Sequence, residues 1–482
     1  MAHSVAIMVT FVVYLIVLLL IGYWGDKKFS KSYRDFVTAG KSLGAWVTAI
    51  SASASSESAW VMLGLSGMGY TKGLAAYWAA FACIIGYFVN ALWVMAKLRK
   101  MSGQFDSYTV SDFIESRLFD RGHTLRIISA IIISVFMLSY VIAQFVGSGK
   151  TISGMGITSY TNGVLIGGII ITAYVLLGGY AAVAFTDLLQ GLLMAAVMIT
   201  FPVLAVIEAG GIGNLTRTRR SLNLLSLTGS TSLTMAGVGF ILGTLGISLG
   251  YPGMPHVIVR FITVRDIKEA KRAAFISITW AILVLFGSVT LGIAARVLFP
   301  GLEDAERALP TFTVTYLPPV LAGIVLSAIT AAIMSTADSQ LMYASTAVVN
   351  DLWLKLKKNV SISERKLVRS TRIVIGIMAL LALLIALYEE KYIYGFVLYA
   401  WSALGAAFTP IILLSLYWKR YTRWGALASL ISGPLVTVIW HNVPVLSKAI
   451  YELVPAFLVS LILSVVVSLL TKAPDEIMEL MD

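Results

Sequence analysis

The chain has 482 residues, of which 58% are hydrophobic and 12% charged, and its formal net charge is +12. A charged share about half that of ordinary soluble domains, with a mean hydropathy of +0.87, excludes a water-soluble globular protein. The positive residues lie between long apolar runs, which argues against a nucleic-acid partner and for an all-α polytopic membrane protein in a lipid bilayer.

Apolar length and hydropathy predict about thirteen transmembrane helices. In chain order they fall near 5–23, 43–67, 72–97, 124–149, 158–177, 183–208, 231–258, 273–299, 317–349, 369–388, 392–417, 424–440 and 449–471. The first reads as a span rather than a cleaved leader, because basic residues follow it instead of preceding it. The stretches near 98–123 and 209–230 suit loops or surface helices.

Basic residues gather after odd-numbered spans. They are Lys27, Lys28, Lys31, Arg34 and Lys41; Arg99, Lys100, Arg117 and Arg121; Arg260, Arg265, Lys268, Lys271 and Arg272; seven between Lys355 and Arg372; and Lys419, Arg420 and Arg423. The positive-inside rule then puts the N-terminus outside and the C-terminus in the cytoplasm of a plasma-membrane protein. Arg217, Arg219 and Arg220 form the one exception. A single cysteine, Cys83, allows no intrachain disulfide.

Carboxylates inside spans are expensive and therefore informative. Glu57 lies in the small, polar segment Ser51–Ala59, within the second predicted span. Serines compete with the helix for its backbone hydrogen bonds and small residues allow close helix contact, so this segment reads either as a tight helix–helix contact or as a broken helix able to bind an ion and a solute, and the Glu57 carboxylate favours the latter. Asp338 lies in the ninth span beside Ser335, Thr336 and Ser339, which bring oxygens together within about one turn, the ligand type that hard cations prefer. Asp187 follows Gly178–Thr186 and reads equally well as a helix cap. Pro252 and Pro255, near Gly250 and Gly253, predict a second broken helix in the seventh span.

The sequence argues against an enzyme. Its four histidines, His3, His123, His256 and His441, form no metal-binding pair, and no nucleophile elbow or phosphate loop is present. The short tail after Lys472 is not expected to hold a signalling domain.

On Ala39–Gly44, Ser51–Trp60, Gly178–Gln190, Gly250–Phe261, Ala331–Leu341 and Tyr399–Phe408, the chain resembles the sodium/solute symporter family, most of all its sodium/proline symporters. The resemblance implies a leucine-transporter-type inverted-repeat core. An extra helix at 5–23 would precede repeats at 43–208 and 231–417, with further helices at 424–471. It implies a main sodium site from the main chains of Ala54, Glu57 and Ala332 and the hydroxyls of Ser335 and Thr336. A further cation position would involve Asp187, Asp338 and Ser339.

Solute contacts would match Ser58, Ala59, Tyr140, Tyr251 and Pro255, beside Ser56, Glu57 and Trp60. Free backbone amides at the Ser56–Trp60 break are expected to receive a solute carboxylate. The chain departs from the proline symporters where they have an aspartate (Ser56, with the acid one residue on, at Glu57) and a tryptophan (Ile247). These departures weaken proline as the solute more than they weaken sodium coupling. Another amino acid, an osmolyte, a monocarboxylate or a sugar, or proton coupling, stays open, as does the oligomeric state.

Overall fold

In lipid, a backbone has no water to bond, so an uncharged run such as 5–22 satisfies its amides only within a helix. The computed structural model describes residues 2–29, 32–221, 224–228, 235–357, 362–388 and 393–472. Among these residues the fold is helical, with a lone backbone bridge between Leu43 and Val264 and no strand.

The principal helices are α1 (Ala2–Phe29), α2 (Ala45–Ser56) and α3 (Trp60–Leu65 continued by Ser66–Lys72). Next come α4 (Tyr77–Val89, Asn90–Val94 and Met95–Gln104 in succession), α5 (Val110–Arg117), α6 (Thr124–Gly154), α7 (Tyr160–Leu177) and α8 (Tyr180–Glu208). The second half holds α9 (Met235–Leu245 and Gly246–Gly253), α10 (Pro255–Thr263), α11 (Ile267–Leu298), α12 (Ala308–Tyr316) and α13 (Pro319–Thr346, extended by Ala347–Trp353). It ends with α14 (Glu364–Tyr388), α15 (Ile393–Tyr417), α16 (Arg423–Asn442) and α17 (Leu453–Leu470).

Among the described residues, ten helices are long and apolar enough to cross a membrane, or eleven with the bent pair Gly237–Gly253 and Pro255–Thr263 taken as one span. The difference from the predicted thirteen has two causes. The second span is broken, and its latter half runs on into the third as one stretch, Trp60–Gln104, interrupted where Gly73 takes a φ of 59°. The fifth span, α7, is an apolar helix at the short end of the range and stands outside that count. The predicted starts at 231 and 392, with Lys31 and Lys358, lie outside the described residues, as do the side chains of Arg219 and Arg220.

Apolar side chains such as Leu20, Leu92, Ile169, Val203 and Ile462 are exposed on the outer surface, where lipid is their solvent. The interior instead buries polar groups, which need partners to be stable there.

The two breaks position the site. Helix α2 stops at Ser56, Glu57 leaves helical geometry at φ −99° and ψ 38°, and α3 restarts at Trp60. In the second half, Gly246–Gly253 is wound as a tight 3₁₀ segment, Met254 is extended, and Pro255 opens α10. Proline suits that first helical position because its missing N–H would have no partner there. The helices either side of Met254 meet at 42°. The two broken elements are tied at one end, where Arg265 N–H donates to Leu43 O at 2.9 Å and Ala45 N–H donates to Glu269 Oε2 at 2.8 Å.

Candidate ion and solute site

Where α2 ends, the carbonyls of its last turn lose their intrahelical partners. Two hydroxyls of α13 meet them. Ser335 Oγ donates to Ala54 O at 3.0 Å and lies 3.3 Å from Ala332 O. Thr336 Oγ1 donates to Ser55 O at 3.1 Å and lies 3.4 Å from Ala54 O. Four of the five predicted sodium-ligating positions, Ala54, Ala332, Ser335 and Thr336, thus converge as fully buried neutral oxygens. The fifth, Glu57, stands at the break itself. An all-oxygen set of this kind fits a hard cation.

Two of the three residues predicted as a further cation position, Asp187 and Ser339, also meet, but around an arginine that the predicted span boundaries place in a basic loop. Arg260 lies inside α10 and is buried. Its Nη2 lies 2.8 Å from Asp187 Oδ2, 2.7 Å from Ser55 Oγ and 2.6 Å from Ser339 Oγ. Its Nε donates to Ser51 Oγ at 2.6 Å, and its Nη1 donates to His256 O. Asp187 is therefore half of a buried ion pair rather than a simple helix cap. Asp338 Oδ1 accepts from Ser339 Oγ at 3.2 Å, while Asp338 Oδ2 and Asp187 Oδ1 are buried without hydrogen-bond partners.

Next to the α2–α3 break is a narrow chamber of about 10 Å³, lined by Ser56, Glu57, Trp60, Tyr140 and Tyr251 of the predicted solute residues, and also by Cys83, Ile247 and Trp401. That volume is near the minimum for one water molecule, so a solute must widen it. A second cavity of about 370 Å³ shares Ile247 and Leu398 with the chamber and lies on the side of Lys72 and Lys448.

Tyr251 OH donates to Glu57 Oε1 at 2.7 Å. The Tyr251 ring is held edge-on by Trp401, with centroids 4.8 Å apart, and Trp401 Nε1–H donates to Ile247 O at 3.0 Å. Close approach of these rings needs glycine at two places. A Cβ on Gly86 would overlap the Tyr251 ring, and one on Gly250 would overlap the Trp401 indole. An aromatic ring from α15 thus packs beside position 247, where the family resemblance calls for tryptophan and this chain has isoleucine.

Ser58, Ala59 and Pro255 do not line the chamber. Ser58 Oγ is 3.4 Å from Tyr140 OH and accepts from Trp60 N–H at 3.1 Å. Ala59 N–H donates to Gln144 Oε1 at 3.1 Å. The amides expected to be free for a solute carboxylate at Ala59 and Trp60 are therefore already bonded. Sequence reasoning missed Gln144, Arg260 and Trp401. A polar or charged side chain inside an apolar span is the signal that points to the first two; Trp401 carries no such signal.

On the opposite side from Arg265, Glu306 joins three elements. Lys150 Nζ of α6 lies 2.7 Å from Glu306 Oε2, and Ile393 and Tyr394 at the start of α15 donate their amides to the same carboxylate at 3.1 and 3.0 Å. Tyr394 in turn stacks on Trp60, with centroids 5.8 Å apart. Burial lifts the Glu306 carboxyl above the usual carboxylate range, against the opposing pull of Lys150 and the two amides.

The sodium:solute symporter family model matches residues 36–433. The chain belongs to this family. It is 36% identical over 469 residues to the high-affinity proline transporter PutP of Bacillus subtilis, covering 95% of this chain and 97% of that protein. It is 34% identical to the osmoregulated proline transporter OpuE of the same organism, covering 98% and 96%, and 33% identical to a sodium/proline symporter of Staphylococcus aureus, covering 97% and 93%.

In fold it resembles a Na⁺-coupled sialic acid symporter solved in a substrate-bound outward-open state, with a TM-score of 0.81 at 19% identity, covering 97% of this chain and 98% of that one. It also resembles MhsT in complex with L-phenylalanine, with a TM-score of 0.52 at 13% identity, covering 88% and 97%. The fold is of the leucine-transporter type, and its two broken helices fall in the second and seventh predicted spans.

Proposed function

We propose that the protein is a secondary active symporter coupling inward sodium flow to uptake of a small solute, with proline as the solute its relatives favour. The observation that carries this reading is the convergence of Ala54, Ala332, Ser335 and Thr336 oxygens beside the α2–α3 break. Sodium is a co-substrate in this scheme. It would be held by those oxygens with the main chain of Glu57, drawing α2 and α13 together. The solute would enter from the wider cavity past Ile247 and Leu398 to the chamber at Ser56, Glu57, Trp60, Tyr140 and Tyr251, whose wall Ser58 braces through Tyr140 and Trp60.

The carrier couples one sodium in this reading, because the Arg260 guanidinium already serves Asp187 and Ser339 as a fixed cation. The repeats span 43–208 and 231–417, preceded by the helix at 5–23 and followed by those at 424–471. The N-terminus faces outward and the C-terminus the cytoplasm of the plasma membrane. With Arg260 removed from its count, the loop after the seventh span keeps Arg265, Lys268, Lys271 and Arg272, so the charge asymmetry stands.

Uptake of radiolabelled proline into proteoliposomes tests this, with an inward sodium gradient in one arm and a proton gradient alone in the other. Accumulation in the sodium arm supports the reading. Accumulation driven by protons alone refutes the sodium assignment.

A further inference from the structure

Buried carboxylates in this protein are generally matched by a cation. Asp187 pairs with Arg260 at 2.8 Å, Asp351 with Arg126 at 2.8 Å, and Glu306 with Lys150 at 2.7 Å. Glu57 is different. It is fully buried, and its Oε1 meets hydroxyls, Tyr251 at 2.7 Å and Ser56 at 3.4 Å. Its Oε2 is buried with no hydrogen-bond partner. A charge taken out of water without a counter-charge is strongly destabilising.

The chamber that Glu57 lines supplies no lysine or arginine to neutralise it. It does supply aromatic faces, from Trp60, Tyr140, Tyr251 and Trp401. A carboxylate set among such rings is the chemistry that recognises a compact, alkylated ammonium, through charge pairing and cation–π attraction. Trp60 Nε1–H is also buried without a partner, which leaves one donor in the wall for an acceptor on the same solute. An anion lacking its own positive charge would instead face the Glu57 carboxylate across a dry space, and a neutral polyol would leave that carboxylate uncompensated.

We propose that Glu57 is the counter-charge for a cationic nitrogen of the transported solute, so that the carrier accepts compact ammonium compounds such as imino acids and betaines and rejects monocarboxylates and sugars. The proposal rests on reading the chamber as the solute site. It goes beyond that reading in naming the charge the solute must carry and the oxygen that receives it.

The test uses the full-length carrier in proteoliposomes, with L-proline, glycine betaine, pyruvate and glucose as probes of sodium-driven uptake and binding. The wild type is expected to take proline or glycine betaine and to refuse the other two. Glu57→Gln keeps the shape and removes the charge, and is expected to weaken binding of the accepted ammonium probe at least about tenfold. Stabilisation of the variant by sodium, read from its melting curve, shows that it is folded. Where it does not fold, the wild-type panel decides.

Sodium-driven uptake of pyruvate or glucose in place of both ammonium probes overturns the proposal and leaves the symporter reading intact. So does unchanged ammonium affinity in folded Glu57→Gln. Absence of sodium-driven uptake of all four probes counts against the symporter reading, and the proposal falls with it.

Discussion

Replacing Arg260 by glutamine should expose how much of the fold depends on one guanidinium. The side chain is buried, and its Nη2 and Nε meet Asp187, Ser55, Ser339 and Ser51 at 2.6–2.8 Å. Removing one member of a buried ion pair typically costs about 3–5 kcal/mol, because the other charge is left uncompensated. Asp187 would be that charge, with its Oδ1 already lacking a partner. Arg260→Gln and Asp187→Asn should therefore each destabilise by about 3–5 kcal/mol, while the double variant should lose far less than their sum. The assay is reversible chemical unfolding in detergent micelles, arranged as a double-mutant cycle. In Arg260→Gln the cation position is vacated, so sodium should recover more stability than in the wild type, and sodium activation of uptake should steepen from a Hill coefficient of about 1 toward about 2. Single-variant effects that add to within about 0.5 kcal/mol would refute the pairing. An unchanged sodium response would refute the idea that the guanidinium stands in for a second ion.

Three further outcomes follow from the same geometry. The Ser335→Ala, Thr336→Ala double variant removes both hydroxyls at Ala54 and should raise the sodium concentration for half-maximal uptake at least about tenfold; unchanged half-saturation in this variant contradicts the site. Gly86→Ala drives a Cβ into the Tyr251 ring, an overpacking worth about 1–3 kcal/mol; it should weaken solute binding while leaving sodium stabilisation in the melting curve, and equal loss of both would mean a general folding defect. Glu306, whose carboxyl is raised by burial, binds its proton more tightly when folded than when unfolded. Its stabilising contribution is thus present below the unfolded value of about 4.3 and is lost as pH rises through the folded value. Melting temperatures from about pH 4 upward should show this loss in the wild type and not in Glu306→Gln.

The breaks were legible because they violate what a membrane helix needs. Pro252 and Pro255 near glycines mark the second break by removing i to i−4 bonds, whereas serines only compete for such bonds and it took the Glu57 carboxylate to tip Ser51–Ala59 from a tight helix contact to a break. Ser335 and Thr336 stood out as oxygens beside Asp338, but pairing them with the Ala54 carbonyl as one sodium site needed the family resemblance, since hydroxyls on a helix commonly bond their own backbone.

Arg260 was misplaced for a physical reason. An arginine near the end of an apolar run usually follows the positive-inside rule into a loop. Here α10 continues to Thr263, which keeps position 260 on the helix one turn beyond His256 and turns it into the protein. Gln144 lies inside α6 and was overlooked because one amide among apolar residues leaves no periodic trace. The amides at the α2–α3 break were expected to be free because a helix start leaves unbonded N–H groups. That rule describes the segment alone, and tertiary structure answered it with Gln144 and Ser58.

The ion and the solute are proposed to meet on a single short segment, and this gives coupling a physical basis. Ala54 O faces Ser335 and Thr336 on α13, and three residues later the Glu57 side chain turns into the chamber under Tyr251. Sodium that draws the end of α2 to α13 fixes the backbone from which the Glu57 carboxylate projects. A solute that pairs with this carboxylate fixes the same backbone from the other side. Each ligand would then lower the ordering cost met by the other, and linkage requires the two effects on affinity to be equal. Arg260 strengthens the arrangement, because it clamps Ser51 and Ser55 of α2 and Ser339 of α13 to α10. The Ala54–Trp60 break, where both ligands are proposed to bind, thus lies between helices already held together by a buried charge.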